Sequence, residues 1–156
     1  MSAGGERLAL RRAVAADVPR LARLLAELGA EGSPDDLATN EPRYRSAFAE
    51  IDADARQHLV VAELDGRIVG TLVLIIIPNL TFAGRRVAQV ENVVVDPAHR
   101  GEGIGTALLL WAMGEARRQG CYRLQLTTRL ERTRARRLYA RLGFVASHEG
   151  LKYRVD

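Results

Sequence analysis

The strongest constraint in this chain is the stretch VENVVVDPAHRGEGIGTALLLWA, residues 90–112. A β-branched apolar run stops at Asp96-Pro97, glycines stand at 101, 103 and 105, and a helical apolar pattern begins at once. A glycine inside or beside a helix costs about 0.5–1 kcal/mol relative to alanine, so three so close together need a return in packing or binding. A strand that ends in a glycine turn and feeds a helix leaves unpaired N–H groups at the positive end of the helix dipole. That arrangement binds phosphate.

The other elements are placed around this one. Residues 8–13 read as a strand. AADVPRLARLLAELG (15–29) reads as a helix, with Asp17 as cap, Pro19 in the first turn and Val18, Leu21, Leu25 and Leu28 as one apolar stripe. Residues 30–40 are a loop by composition, and 41–53 a second helix. HLVVAEL and RIVGTLVLIII are strands joined by Asp65-Gly66, a strong hairpin signal. Residues 87–95 form the next strand, about 104–119 a helix and 122–128 a strand. A helix over 132–143 carries a stripe of Ala135, Leu138, Tyr139 and Leu142, and FVAS and LKYRV close the chain as two short strands. The order predicts an α+β domain over 1–156, with a mixed, mostly antiparallel sheet of seven strands and about four helices.

With 156 residues, 47% of them apolar and 27% charged, the chain is expected to be one soluble domain with a sizeable core. No apolar run is long enough to span a bilayer, and no signal-peptide pattern opens the sequence, so a cytoplasmic location is expected. Cys121 is the single cysteine and can form no intrachain disulfide. His58, His99 and His148 have no metal-ligand spacing, so no metal is expected. The net charge of +4 divides into −2 over 1–57 and +6 over 58–156, which puts the preference for an anion in the C-terminal part.

Three phosphate-binding schemes compete at the glycines. A P-loop needs Lys-Ser or Lys-Thr after its last glycine, and Gly105 is followed by Thr106-Ala107. The dinucleotide fingerprint needs G-x-G-x-x-G and a later acid, and the spacing here is G-x-G-x-G. The third scheme is Arg/Gln-x-x-Gly-x-Gly/Ala, and Arg100-Gly101-Glu102-Gly103-Ile104-Gly105 matches it. With VENVVVDPAHRGEGIGTALL before and ARRLYARLGF downstream, the chain resembles the GCN5-related N-acetyltransferase (GNAT) superfamily over nearly its whole length.

The resemblance implies an acetyl-CoA-dependent N-acetyltransferase of GNAT-like fold with splayed central strands. It implies a pyrophosphate on the N–H groups of Arg100, Gly101, Glu102, Gly103, Ile104, Gly105 and Thr106, and a pantetheine arm along the backbone of Val93, Val94 and Val95. Glu91 interrupts an apolar strand and is the candidate base; the alternatives are a carboxylate that binds a cationic substrate and a structural glutamate. Simple alternation puts residues 89, 91, 93 and 95 on one strand face. Tyr139 matches the family's general acid, though it also lies on an apolar stripe. Many relatives carry asparagine where this chain has Arg132, which could meet a cofactor phosphate. Most of the other arginines of 129–141 read as a solvated face, with one or two near the helix start placed to meet the adenosine 3′-phosphate of the cofactor. His148 reads as a substrate contact or a hairpin residue, and Cys121 as core, which argues against an acyl-cysteine.

ELDGRIVG, LLLWAMGEARRQG and GFVASHEGL are similar to aminoalkylphosphonate-type N-acetyltransferases, which implies a small primary amine as acceptor. Two features of the expected acceptor wall pull apart. Glu31, Asp35, Asp36, Glu41, Glu50, Asp52 and Asp54 would draw a cation, whereas Arg43 or Arg45 would hold an anionic group. Competing readings are a non-catalytic acyl-CoA-binding or regulatory domain, a protein (Lys or N-terminal) acetyltransferase and a basic nucleic-acid binder. Aromatics at only 5% argue against the last. Dimers are common in the superfamily, which leaves a homodimer open.

Overall fold

The computed structural model describes residues 8–28 and 37–155. Strands β1 (Leu8–Arg12), β2 (Gln57–Leu64), β3 (Arg67–Ile77), β4 (Val87–Val95) and β5 (Arg123–Gln125) form one sheet in the order β1-β2-β3-β4-β5. The first three pairings are antiparallel and β4–β5 is parallel. A parallel pair needs a crossover, and the helix that follows the glycines supplies it. Helices are α1 (Val18–Ala26), α2 (Leu37–Ala53), α3 (Thr81–Gly84), α4 (Ile104–Arg118) and α5 (Thr133–Arg141).

The Asp65-Gly66 hairpin forms as its sequence requires, with both turn residues at positive φ (47° and 78°). Strand register separates two layers. Leu59, Val61, Thr71, Val73, Gln89 and Glu91 occupy one face by cross-strand pairing. On that face Val61 packs with Leu21 and Leu24 of α1, and Leu59 and Phe48 of α2 join the cluster. Val60, Ala62, Gly70, Leu72 and Leu74 point the other way. There α4 comes so close that a Cβ on Gly70 would lie 3.0 Å from Ile104 and 3.2 Å from Leu108. Ile104, Leu108, Leu109 and Ala112 are the buried stripe of α4.

Several elements differ from expectation. The sheet has five strands among the described residues, not seven; 144–147 and 151–155 carry no ladder. Alternation alone does not make a strand: Val145, Leu151, Tyr153 and Val155 are exposed, so these segments bury no apolar face that would fix a register. Asp17 does not cap α1. Its carboxylate accepts from the Val14 N–H (2.8 Å) and from Arg11 (2.7 and 3.1 Å), and these bonds hold its pKa low. A 3-10 turn over Ala15–Asp17 therefore precedes the helix. Helix α2 begins at Leu37, ahead of Pro42. Residues 79–86 include the α3 turn, where Phe82 and Ala83 take positive φ (50° and 57°). Cys121 stands just before β5 and is half-buried, and burial raises its thiol pKa. The chain divides into two compact units, Met1–Gln125 and Leu126–Asp156, and α5 belongs to the second.

Candidate active site

The glycine turn is built from the end of β4. Asp96 accepts from the Ala98 N–H at 2.9 Å and is also bonded by Arg20 of α1, and both bonds lower its pKa. Arg20 in turn donates to the Ile68 carbonyl at 3.0 Å, so the strand end is tied to α1 and β3 together. A single 3-10 turn, Pro97–His99, follows. Its last residue, His99, places Nδ1 3.0 Å from Glu102 Oε2 across the loop. Gly101 and Gly103 then take φ of 90° and 83°, the left-handed region that disfavours a side chain. Gly103 is the N-cap of α4, and Ala107 is the first residue to donate back to it, at 3.0 Å. The N–H groups of Ile104, Gly105 and Thr106 have no carbonyl one turn behind them. A Cβ on Gly103 would meet no protein atom within 4 Å. Helix-start donors without an intrahelical partner, beside a glycine whose Cβ position is open, suit an anionic phosphate group. Arg100 takes a different position from its neighbours: its Nε donates to the Val95 carbonyl at 3.2 Å, and its guanidinium lies 3.8 Å from Glu27.

Strand β4 carries a bulge. Val73 pairs with Glu91 but Thr71 pairs with Val94, so β4 has one extra residue there, and Asn92 absorbs it at φ 55°. The bulge breaks the expected alternation. Gln89 and Glu91 share the α1–α2 face with Val94, whereas Val95, opposite Gly70, and Val93 belong to the α4 face. The parallel ladder with β5 covers Val87–Gln89 and goes no further among the described residues. Glu91 is half-buried beyond that ladder, and its Oε1 accepts from Gln89 Nε2 at 2.5 Å. Gln89 Oε1 accepts in turn from Gln125 Nε2 at 2.7 Å. Local sequence singles out neither Gln125 nor Asn92, because only the tertiary register gives them a role. Asp96-Pro97 does carry a readable turn signal.

In the second unit, Tyr139 is the buried residue of α5, and its ring meets Phe144 edge-on at 5.9 Å. Burial raises its pKa against an opposing influence of Arg132, so the hydroxyl keeps its proton at neutral pH. Arg132 is the exposed N-cap residue of α5. His148 is exposed and bonded to Ser147 at 2.8 Å.

On the α2 side, Glu31, Asp35 and Asp36 lie outside the described residues. Of the remaining acids, Glu41 is paired with Arg45 (2.6 Å), Asp54 with Arg56 (3.0 Å) and, more loosely, Asp52 with Arg12 (3.9 Å), while Glu50 has no ion pair among the described residues. An open cleft of about 350 Å³ lies along α2 between Ala15, Val18, Phe48 and Ala49, with Arg45 and Asp52 among its lining residues. Among the described residues no group of acidic, histidine or cysteine side chains could hold a metal ion.

The sequence profile of the acetyltransferase (GNAT) family matches residues 21–144. The chain belongs to this family. Its relatives include a glucosamine 6-phosphate N-acetyltransferase of Trypanosoma brucei brucei, 43% identical over 84 residues, which cover 54% of each chain. An aminoalkylphosphonate N-acetyltransferase of Salmonella typhimurium is 35% identical over 116 residues, covering 72% of this chain and 75% of that one. The match thus spans about half the length of the first and three-quarters of the second. A crystal structure described as a transcriptional regulator from Bacillus halodurans superposes with a TM-score of 0.83 at 36% identity, covering 95% of this chain and 99% of that one. For this GNAT chain the glycine turn, the bulged strand and α4 form a continuous frame, and no described helix is long and apolar enough to cross a membrane.

Proposed function

We propose that this protein is an acetyl-CoA-dependent N-acetyltransferase whose acceptor is a small primary amine that also carries a phosphoryl group. Residues 1–156 act as one catalytic domain in this reading. The observation that carries it is the left-handed Gly101–Gly103 turn, which opens α4 with N–H groups that lack an intrahelical partner, beside a glycine whose Cβ position is open. Acetyl-CoA supplies the acyl group as a thioester. The N–H groups of 100–106 hold its pyrophosphate, and the backbone of 93–95 holds the pantetheine arm where β4 leaves β5.

Amide formation requires a neutral amine nitrogen, and departure of the thiolate is assisted by a proton donor. Glu91 takes the proton that the amine loses as it attacks the thioester carbon, directly or through water. The C–S bond breaks as the C–N bond forms, and the hydroxyl of Tyr139 gives its proton to the departing sulfur. Its raised pKa suits a donor that must stay protonated until that moment. Pairing of Glu41, Asp54 and, loosely, Asp52 removes part of the reason to expect a polyamine. The acceptors named for the two curated relatives, glucosamine 6-phosphate and an aminoalkylphosphonate, each combine an amine with a phosphoryl dianion. Arg45, at the α2 cleft, is the residue we assign to that dianion, which would have to take the guanidinium from its pairing with Glu41.

The test is a comparison of matched acceptors: glucosamine 6-phosphate against glucosamine, and an aminoalkylphosphonate against the alkylamine of equal length. A higher kcat/KM for the phosphorylated member, lost in Arg45→Ala, supports the reading. Equal rates within each pair, or preference for a polyamine that fades with added salt, would reject the phosphoryl acceptor.

A further inference from the structure

The Glu91 carboxylate is the last member of a line of three polar side chains. Gln125 Nε2 donates to Gln89 Oε1 at 2.7 Å, and Gln89 Nε2 donates to Glu91 Oε1 at 2.5 Å. The backbone itself sets this line. Gln89 and Gln125 are direct partners in the parallel β4–β5 ladder, so their side chains leave the sheet on the same face. Glu91 is two residues along β4, ahead of the bulge at Asn92, and therefore shares that face. Across the antiparallel ladder the neighbours on this face are Val73 and Ile75, so no charged group of β3 intrudes.

The polarity of the line follows from its end. An ionised carboxylate only accepts hydrogen bonds, so Gln89 must present its NH2 group to Glu91. That orientation aims the amide oxygen of Gln89 the other way, and only a donor can satisfy it. Gln125 supplies that donor. Each amide is thus fixed in one of its two flips, and each removes a rotational choice from the next. The relay engages Oε1 and leaves Oε2 outside it.

We propose that Gln89 and Gln125 are positioning residues: they hold the Glu91 carboxylate in one orientation, with Oε2 directed to the acceptor amine. The proposal rests on Glu91 acting as the base. A tie between β4 and β5 would be the merely structural alternative, and that tie would matter equally whether or not residue 91 could take a proton.

A double-mutant cycle separates the two. Gln89→Leu, Gln125→Leu, Glu91→Gln and the two double variants are assayed with acetyl-CoA and glucosamine 6-phosphate or an aminoalkylphosphonate, with thermal midpoints recorded alongside. Gln89→Leu should lower kcat roughly tenfold or more, the scale of one hydrogen bond to a charged group, and Gln125→Leu, which removes a bond between neutral amides, roughly two- to tenfold, both with KM for acetyl-CoA unchanged. In the Glu91→Gln background neither should lower it further. Equal losses in both backgrounds would assign the line to sheet stability and overturn the proposal. A slow Glu91→Gln beside full-rate Gln89→Leu and Gln125→Leu would overturn the relay alone. A full-rate Glu91→Gln, or no turnover of either acceptor by the unaltered protein, would overturn the relay together with the reading on which it rests.

Discussion

Replacing Gly103 with alanine separates what the glycine turn costs the fold from what it gives to binding. Gly103 has φ of 83°, and a Cβ there would meet no protein atom within 4 Å. Steric overlap therefore contributes nothing, and the penalty is the left-handed backbone alone, about 1–2 kcal/mol. For a chain of this size that corresponds to a fall in Tm of roughly 2–8 °C. Gly120 provides a matched control beyond the other end of α4: its φ is 69°, and a Cβ there also meets nothing within 4 Å. Gly120→Ala should lose stability by a similar amount.

Binding of coenzyme A should distinguish the two variants. In the proposed cradle a methyl group at 103 would compete with the pyrophosphate for the space before the N–H groups of α4, and the pyrophosphate would move away from them. Loss of two hydrogen bonds to a charged group is worth about 3–6 kcal/mol, or roughly 10²–10⁴ in Kd. Calorimetric titration with coenzyme A, paired with thermal unfolding, reads both quantities. Equal Kd values for Gly103→Ala and Gly120→Ala would refute the cradle, whatever the stabilities.

Tyr139→Phe should lower kcat at least tenfold with KM for acetyl-CoA unchanged. Because burial raises the phenol pKa, the unaltered protein should keep its acid through pH 9, so an alkaline loss of rate below the ordinary tyrosine value of about 10 would speak against Tyr139. His58 should make stability depend on pH. Burial beside Trp111 lowers its pKa, Arg12 and Arg118 add to the shift, and Glu115 opposes it. Its Nε2 has no partner among the described residues. The unfolded chain therefore takes up a proton first as pH falls below about 6.5. His58 contributes its full stability above that pH and loses it progressively down to the depressed folded value. His58→Leu should flatten the urea midpoint over this window, and an unchanged slope would contradict the assignment.

The parts of the site written in local sequence are legible from the residues alone. Asp65-Gly66 dictates its turn, the spacing of Ile104, Leu108 and Ala112 dictates α4, and the three glycines dictate the turn between strand and helix. The bulge at Asn92 is not legible in this way. Asparagine tolerates a left-handed backbone but does not demand it, and only pairing with β3 reveals the extra residue. The same holds for Gln125, whose role depends on the register of β5 against β4. LKYRV has the alternation of a strand and forms none: Leu151, Tyr153 and Val155 are exposed, so no buried face fixes a register for it. Asp17 has the identity and position of a cap. It turns back to Val14 and Arg11 because a guanidinium that gives two hydrogen bonds offers a carboxylate more than a helix N–H does.

In the proposed reaction an amine attacks the acetyl thioester directly, with no acetylated protein between. The most direct measurement follows acetyl-CoA and glucosamine 6-phosphate, or an aminoalkylphosphonate, by NMR in the presence of the protein. The acetamide product and free coenzyme A should appear in a one-to-one ratio, and acetyl-CoA alone should leave the protein mass unchanged. Free coenzyme A without an amide, or an acetylated protein that forms before the amine is added, would contradict direct attack.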